Sequence, residues 1–215
     1  MQHTLRTSLF IVGALGGTVT SLVAQQSVAP ATNWSLVETA LGRKGALQAG
    51  DVIKFAFPRS DLSVTSNGVA LKPAFALGSW IAFKQVDKGA SIAMGDLVLL
   101  DSEVSTVMRA LQDGGVEQSA LHNHVLNESP QVMYMHISAH GDASKIAKVV
   151  HDALALSKTP IGAPSAVAIP SAADLDTAGI AKAIGVTGKL NGVVYQITVP
   201  RSEKIMEMGY EIPPS

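Results

Sequence analysis

Two neighbouring segments of the chain alternate apolar and polar residues with a period of two, and no other feature limits the fold as strongly. The segments are residues 116–126 and 131–139, joined by the polar stretch 127–130. Because successive side chains of a β-strand point to opposite faces, the pattern predicts two adjacent antiparallel strands. Their apolar face must pack against the protein interior, and it consists of Leu121, Val125, Met133, Met135 and Ile137.

The same alternation places histidines on the opposite face. Four of the six histidines of the chain lie between residues 120 and 141, and His122, His124 and His136 point away from the apolar residues. If residues 127–131 form the loop, His122 pairs with His136 and His124 pairs with Tyr134. Directly opposed side chains have Cβ atoms about 4.5–5.5 Å apart, so imidazoles there can bind one ion at bond lengths of about 2.0–2.1 Å. The pattern therefore predicts a metal site.

Three imidazole ligands leave coordination positions open at such a site. His140 is a candidate further metal ligand, and the free positions otherwise accept water, Glu128 or a substrate, as in catalytic or exchangeable sites. The chain contains no cysteine, which excludes thiolate ligands. Imidazole nitrogen suits a divalent transition metal, with zinc as the first choice and copper, iron, nickel and manganese as alternatives. With zinc, the sequence predicts metal-assisted hydrolysis in which Glu128 is the catalytic general base.

Other interpretations of these residues stay open. Histidines on an exposed sheet face can also form hydrogen bonds with Asn, Ser and Glu side chains and bind nothing. A separate alternative is a non-catalytic module that binds a small molecule or a component of the cell envelope. A periplasmic metal-handling protein is the other alternative, with thioether ligands for copper(I) from Met133, Met135, Met206 and Met208, although such methionines are more often core residues. Enzyme activity is undecided, since the chain contains no nucleophile elbow, phosphate-binding loop, dinucleotide fingerprint or zinc-protease helix.

The remaining patterns predict an α+β fold. Period-two patterns predict further strands at 52–57, 80–85 and 93–100. Apolar residues at helical spacing predict three helices: one at residues 33–41, one that begins at Asp101 or Ser102, and one that begins at Asp142. Asn67-Gly68 predicts a hairpin turn because both positions accept a positive φ, and Gly95-Asp96 is expected to form a turn. This order of elements is typical of an antiparallel sheet with helices packed on one face.

An internal repeat divides the chain. Residues 40–47 align with 183–190 without a gap, and 55–60 align with 197–202 after a slip of one residue. The predicted organisation is a tandem pseudo-repeat with an incomplete second copy: a first repeat at 33–156, a linker rich in proline, alanine and serine at 157–173, and a partial second repeat at 174–215. The favoured interpretation is a truncated chain, whose uncovered apolar edge predicts self-association.

Charged residues indicate salt bridges rather than a nucleic-acid surface. The formal net charge is −1 and charged residues make up only 15% of the chain, so no basic face is expected and nucleic acid is excluded as a partner. Arg59 and Arg201 occupy equivalent positions in the two copies, each within Pro-Arg-Ser. Salt bridges with Asp61 and Glu203 are favoured, and an anionic ligand between the copies is the alternative.

The amino-terminal residues predict export. An apolar run at 9–23 is diluted by glycine, serine and threonine and is followed by Ala24, which is typical of a secretory signal peptide at 1–24. We therefore expect a periplasmic or extracellular protein with no stable membrane insertion after the signal is cleaved.

Several short motifs carry a resemblance to a known family. They are Leu41-Gly42-Arg43 with Gly45, Pro58-Arg59-Ser60-Asp61-Leu62, Gly95-Asp96-Leu97-Val98-Leu99, Ala120-Leu121-His122-Asn123-His124, and Met135-His136 followed by Gly141-Asp142. By these motifs the chain, from about residue 34 to 215, resembles the LppY/LpqO family of exported proteins, which is defined largely by a domain of unknown function. The resemblance implies export and two tandem copies of the domain, and it supplies no reaction.

Overall fold

A computed structural model of the protein describes residues 32–162 and 174–213. The predicted signal peptide, 1–24, and the larger part of the predicted linker, 163–173, lie outside the described residues. The helices are α1 (Ser35–Leu41), α2 (Pro73–Ala76), α3 (Asp101–Asp113), α4 (Ala143–Leu154) and α5 (Thr177–Ile184). The strands are β1 (Ala46–Gln48), β2 (Val52–Pro58), β3 (Thr65–Ser66), β4 (Val69–Ala70), β5 (Gly78–Asp87), β6 (Ala90–Leu100), β7 (Glu117–His122), β8 (Glu128–Ser129), β9 (Val132–Gly141), β10 (Lys189–Asn191), β11 (Val194–Gln196), β12 (Ile205–Glu207) and β13 (Tyr210–Ile212).

Six strands form one antiparallel sheet in the order β1-β2-β5-β6-β9-β7. Helices α1, α3 and α4 pack on one face of this sheet, and their apolar stripes bury the inward-facing residues of the strands. The largest fully buried apolar side chains of this core are Phe55, Phe57, Phe83, Leu41, Ile81, Leu97, Leu99, Leu111 and Met135. The predicted α+β class, with an antiparallel sheet and helices on one face, is confirmed.

Local sequence signals explain where several elements begin and end. Gly42 ends α1 with φ 66°, a left-handed conformation that costs glycine no steric strain. Asp142 caps α4, since its side chain accepts hydrogen bonds from the backbone NH groups of Ser144 and Lys145. Asn67 and Gly68 have φ values of 49° and 80° and join β3 to β4, so the predicted hairpin is confirmed.

The other face of the sheet is covered at one end only. A second apolar cluster joins residues of the segment 59–77 to the sheet, and its buried members are Val64, Leu77, Val98, Val132 and Tyr134. Strands β3, β4 and β8 form a small separate sheet in the order β4-β3-β8. Beyond this cluster the central part of the face keeps contact with solvent, and this is where the predicted histidines lie.

Arg59 is completely buried between this cluster and α3. Its guanidinium donates to both carboxylate oxygens of Asp61 at 2.9 Å, to Glu103 Oε2 at 2.8 Å and to the carbonyl oxygen of Val98 at 2.7 Å. The predicted salt bridge with Asp61 is confirmed, and so is the exposed pair Arg201–Glu203. Glu103, which the sequence analysis did not single out, is the second partner because it lies in the first turn of α3 and faces the sheet.

The first six residues of the predicted linker pack onto the domain. Thr159 is buried, and Arg43 donates hydrogen bonds to the carbonyl oxygens of Pro160 and Gly162. The guanidinium of Arg43 also lies 4.2 Å from the ring centroid of Phe57. Composition did not indicate this packing, because backbone carbonyls accept hydrogen bonds whatever the side chains are.

Residues 174–213 form helix α5 and two hairpins, β10–β11 and β12–β13. The segment 35–70 has the same order of a helix, a left-handed glycine and two hairpins. The internal repeat itself stays a prediction. No residue of α5 is buried, and several apolar side chains of this segment are exposed, among them Leu190, Val199 and Met206. Within the described ranges no helix is long and apolar enough to span a membrane.

Candidate metal centre

Three histidines meet on the uncovered part of the sheet. One ring nitrogen from each of His122, His124 and His136 lies within 4.8 Å of the corresponding nitrogens of the other two. The closest pair is His122 Nε2 and His136 Nε2, which are 3.1 Å apart. Two ligands of one tetrahedral ion are expected about 3.3 Å apart when each bond is about 2.0–2.1 Å long. The spacing therefore suits two imidazoles that share an ion.

The strand pairing that brings these rings together differs from the predicted pairing. His122 pairs with Tyr134, and Ala120 pairs with His136, because a β-bulge at Ser119 shifts the register of β7 against β9. The predicted strand 116–126 also ends early, at His122, since Glu128-Ser129 pairs with β3 instead of extending the hairpin. His122 and His136 consequently meet diagonally, and His124 lies in the loop after β7.

Tyr134 positions His124. The two rings are stacked, with centroids 3.6 Å apart and planes 12° apart. The phenol is buried and donates a hydrogen bond of 2.7 Å to the carbonyl oxygen of Ala76. Burial raises the pKa of Tyr134, and the negative charges of Glu128 and Asp96 raise it further, so the ring stays a neutral platform. This contact comes from the second apolar cluster, and strand alternation could not predict it.

Asp96 is the residue of the site that sequence reasoning missed. It lies in the middle of β6, directly opposite Trp80 on one side and His136 on the other. Its Oδ2 is 3.8 Å from the Nε2 atoms of both His124 and His136. Only 9% of the residue is exposed, and its Oδ1 is buried without a hydrogen-bond partner among the described residues.

The expected turn at Gly95-Asp96 was therefore wrong. Gly95 lies inside the strand β6. Glycine fits at this position because a Cβ atom there would come within 2.6 Å of the carbonyl oxygen of Trp80. The available signal was a single charged residue within the long apolar run of β6, since a charge in a buried strand requires a partner. Burial raises the pKa of Asp96, and the nearby imidazoles oppose that shift.

Glu128 and His140, the other two residues predicted for the site, lie in different places relative to the three histidines. Glu128 Oε2 accepts a hydrogen bond from the backbone NH of Val132 at 3.2 Å, and Oε1 is buried without a partner in the described part of the chain. His140 is not a member of the group of three histidines. It lies two residues after Ser138, at the far end of β9, where its ring stacks on Tyr210 with the ring centroids 5.9 Å apart.

The surroundings of His124 favour its neutral imidazole. Burial lowers its pKa, and the positive charges of protonated His122 and His136 would lower it further, while Asp96 and Glu128 oppose the shift. Because a neutral imidazole carries the lone pair that a metal needs, a lowered pKa keeps His124 available as a ligand. The side chains of His124 and His136 are 37% and 44% exposed, so solutes can reach them.

Trp80 and Lys54 lie beside this group on the same face. The ammonium of Lys54 is 4.1 Å from the ring centroid of Trp80, which pairs directly with Asp96. Burial lowers the pKa of Lys54, and the charge of Asp96 opposes that effect. An aromatic surface and a cation therefore border the three histidines.

The family model described as Domain of Unknown Function (DUF1259) matches residues 35–156. The matched range contains the six-stranded sheet, the three helices that cover it, the three histidines and Asp96. No curated protein and no solved structure matches the chain.

Proposed function

Since the chain belongs to the family described as Domain of Unknown Function (DUF1259), a description that names no reaction, we propose from the site itself that it binds a divalent transition metal at His122, His124 and His136. The observation that carries the proposal is the convergence of three ring nitrogens within 4.8 Å on an accessible sheet face. Clustered imidazoles without an ion repel one another once protonated. A shared metal removes this repulsion and uses all three lone pairs.

Zinc is our first choice of metal, with copper, iron, nickel and manganese as the alternatives to be measured. Imidazole is a suitable ligand for all of them, and three protein nitrogens are the ligand set of several hydrolytic zinc sites. A divalent ion held there supplies Lewis acidity for the hydrolysis of a carbonyl or phosphoryl substrate.

Glu128 is the proposed general base of that hydrolysis. The backbone NH of Val132 holds one carboxylate oxygen, and the other has no partner among the described residues. The charge of Glu128 acts on both His124 and Tyr134, which indicates that the carboxylate lies close to the site. A carboxylate held in place by a backbone hydrogen bond is suited to act as a general base.

The proposed location is outside the cytoplasm. Residues 1–24 support it by their signal-peptide pattern, and the motifs around Arg59 and His122 support the narrower assignment to the LppY/LpqO family with its tandem copies. His140 is retained only as a control residue, because it lies apart from the three histidines.

A second candidate function is supported by Trp80 and Lys54. Trp80 offers an aromatic surface to a small molecule, and the ammonium of Lys54 beside it offers a positive charge to an anionic one. In this function the protein is a binding module for a small molecule or envelope component, and the histidines contribute hydrogen bonds.

Elemental analysis of protein purified without a histidine tag tests the main proposal. We expect about one equivalent of metal per chain, lost in His122→Ala and in His136→Ala and retained in His140→Ala, which removes a histidine from the same strand outside the group. Circular dichroism establishes that the variants remain folded. A wild-type protein that binds none of the five metals refutes the proposal, and so does a metal content that is unaffected by His122→Ala.

The hydrolytic role has its own experiment. Metal-loaded protein is screened against ester and phosphoester substrates, and Glu128→Gln is expected to reduce turnover while the metal content is unchanged. Equal turnover of Glu128→Gln and wild type would eliminate Glu128 as the base. Binding of small anions by metal-free protein, lost in Trp80→Ala, would instead support the binding module.

A further inference from the structure

We propose that Asp96 is the fourth protein ligand of this centre and that it makes the site selective for ions that accept mixed nitrogen and oxygen ligands. The inference rests on the proposed metal site and adds a residue from a third strand, β6, to the histidines of β7, β9 and the loop between them. It follows from distances, burial and charge.

The distances allow an ion to lie between the carboxylate and the imidazole of either His124 or His136. Asp96 Oδ2 is equally far, 3.8 Å, from the Nε2 atoms of His124 and His136. A metal bond to nitrogen and one to a carboxylate oxygen together span at most about 4.3 Å. Because 3.8 Å is shorter than this span, an ion between the atoms reaches both with ordinary bond lengths.

The burial of Asp96 favours a bound cation at its carboxylate, in addition to the nearby charge of Lys54. A carboxylate that loses most of its hydration needs compensation by hydrogen bonds or by opposite charge. Oδ1 has no hydrogen-bond partner within the described residues, and the ion pairs of Asp96 found there involve only His124 and His136. A divalent ion would compensate the carboxylate directly.

The position of Asp96 is also held by the fold. It lies in a ten-pair ladder between β6 and β9, and Gly95 before it allows the close approach of the Trp80 carbonyl. The carboxylate is therefore placed before any ion arrives, which reduces the entropy that binding would otherwise lose.

The resulting ligand set predicts the preferred metal. Three imidazole nitrogens and one carboxylate oxygen favour divalent zinc, iron or manganese, whereas copper(I) prefers thiolate and thioether sulfur. The carboxylate also reduces the net charge of a site with a divalent ion from +2 to +1. A copper(I)-handling role is therefore disfavoured by Asp96.

The test compares Asp96→Asn with wild type by competition against a chelator of known zinc affinity. The amide keeps the shape and removes the charge, and we expect zinc affinity at least about 10-fold weaker, as for losses of groups that orient or complete metal sites. Asp96→Glu keeps a carboxylate on a longer side chain and should retain more affinity than Asp96→Asn. Asp87→Asn, at the end of β5, is the matched control and should bind zinc as wild type does.

A second measurement separates a ligand from a structural residue. Thermal unfolding of the metal-free Asp96→Asn protein should occur at the same temperature as wild type or at a higher one, because the variant removes a buried charge whose Oδ1 has no hydrogen-bond partner among the described residues. The rise in melting temperature on adding zinc should be smaller in the variant. A markedly lower melting temperature of the metal-free variant would overturn the ligand role in favour of a structural one.

The proposed metal site and the proposed ligand role of Asp96 are refuted by different results. If wild type binds no metal, the proposed function itself is refuted. If wild type binds zinc and Asp96→Asn binds it equally tightly, the metal site stands and only the role of Asp96 is refuted. If copper(I) binds more tightly than zinc, the predicted selectivity is refuted.

Discussion

Replacing Arg59 by leucine should destabilise the protein strongly, because this arginine is the central cation of a buried network. Its guanidinium is fully buried and donates five hydrogen bonds, to Asp61, Glu103 and the carbonyl oxygen of Val98. Leucine removes all five. Among the described residues, Glu103 then keeps only the backbone NH groups of Leu100 and Lys158 as donors. The Val98 carbonyl loses its guanidinium donor at the same time.

The expected magnitude follows from the asymmetry of buried ion pairs. Removing one partner of a buried pair costs about 3–5 kcal/mol, because the other charge stays buried without compensation. In a protein of this size each kcal/mol changes the melting temperature by about 2–4 °C. The Arg59→Leu variant should therefore unfold about 6–20 °C below wild type.

The chain supplies a matched control for this experiment. Arg201 lies in the same Pro-Arg-Ser sequence and pairs with a carboxylate two residues later, Glu203, as Arg59 pairs with Asp61. Its side chain is 71% exposed, so Arg201→Leu should leave the melting temperature unchanged. Differential scanning calorimetry of both variants measures the difference. Equal, small effects of the two substitutions would refute the argument that burial decides the energetic role of the arginine.

Three further predictions concern other parts of the protein. Glu103→Gln should reduce the loss of stability in acid, which is measured as the urea midpoint of unfolding at a series of pH values. Burial alone would raise the pKa of Glu103. Hydrogen bonds from Arg59, Lys158 and Leu100 outweigh this effect, so the pKa is lowered. The ionised form therefore contributes stability that is fully present above about pH 4.3 and is lost as pH falls through the lower folded-state pKa; an unchanged acid profile would contradict this. Gly95→Ala should lower the unfolding free energy by about 1–3 kcal/mol, since the new Cβ meets the Trp80 carbonyl at 2.6 Å, whereas Gly162→Ala, with open space around it, should have little effect on the denaturation curve. The chain 25–215 should self-associate in sedimentation experiments through exposed apolar side chains such as Leu190, Val199 and Met206. Serine at these three positions should reduce the self-association. A monodisperse, protease-resistant wild-type monomer would contradict the prediction.

The position of the histidines on one sheet face could be predicted from the sequence. Alternation along β9 assigns Met133, Met135 and Ile137 to the core and His136 to the other side, and the structure agrees. The alternation is a property of the extended backbone itself, so it needs no knowledge of distant residues. Helix ends and the Asn67-Gly68 turn could be predicted for the same reason, because caps and positive φ values are local.

The precise register of the site could not be predicted in this way. Neither the bulge at Ser119 nor the pairing of Glu128-Ser129 with β3 follows from alternation, since both depend on which segments compete for the same strand edge. The stacking of His124 on Tyr134 depends in turn on the apolar cluster that buries Tyr134.

The sequence by itself determined the α+β class, the face that carries His122 and His136, and the local salt bridges of Arg59 and Arg201, because these depend on near neighbours along the chain. Tertiary structure decided that Asp96 joins the histidines, that His140 does not, and that Arg59 is buried while Arg201 is exposed. Burial and charge compensation are set by what packs on a residue from distant segments. Identical local sequences can therefore have different environments and different energies.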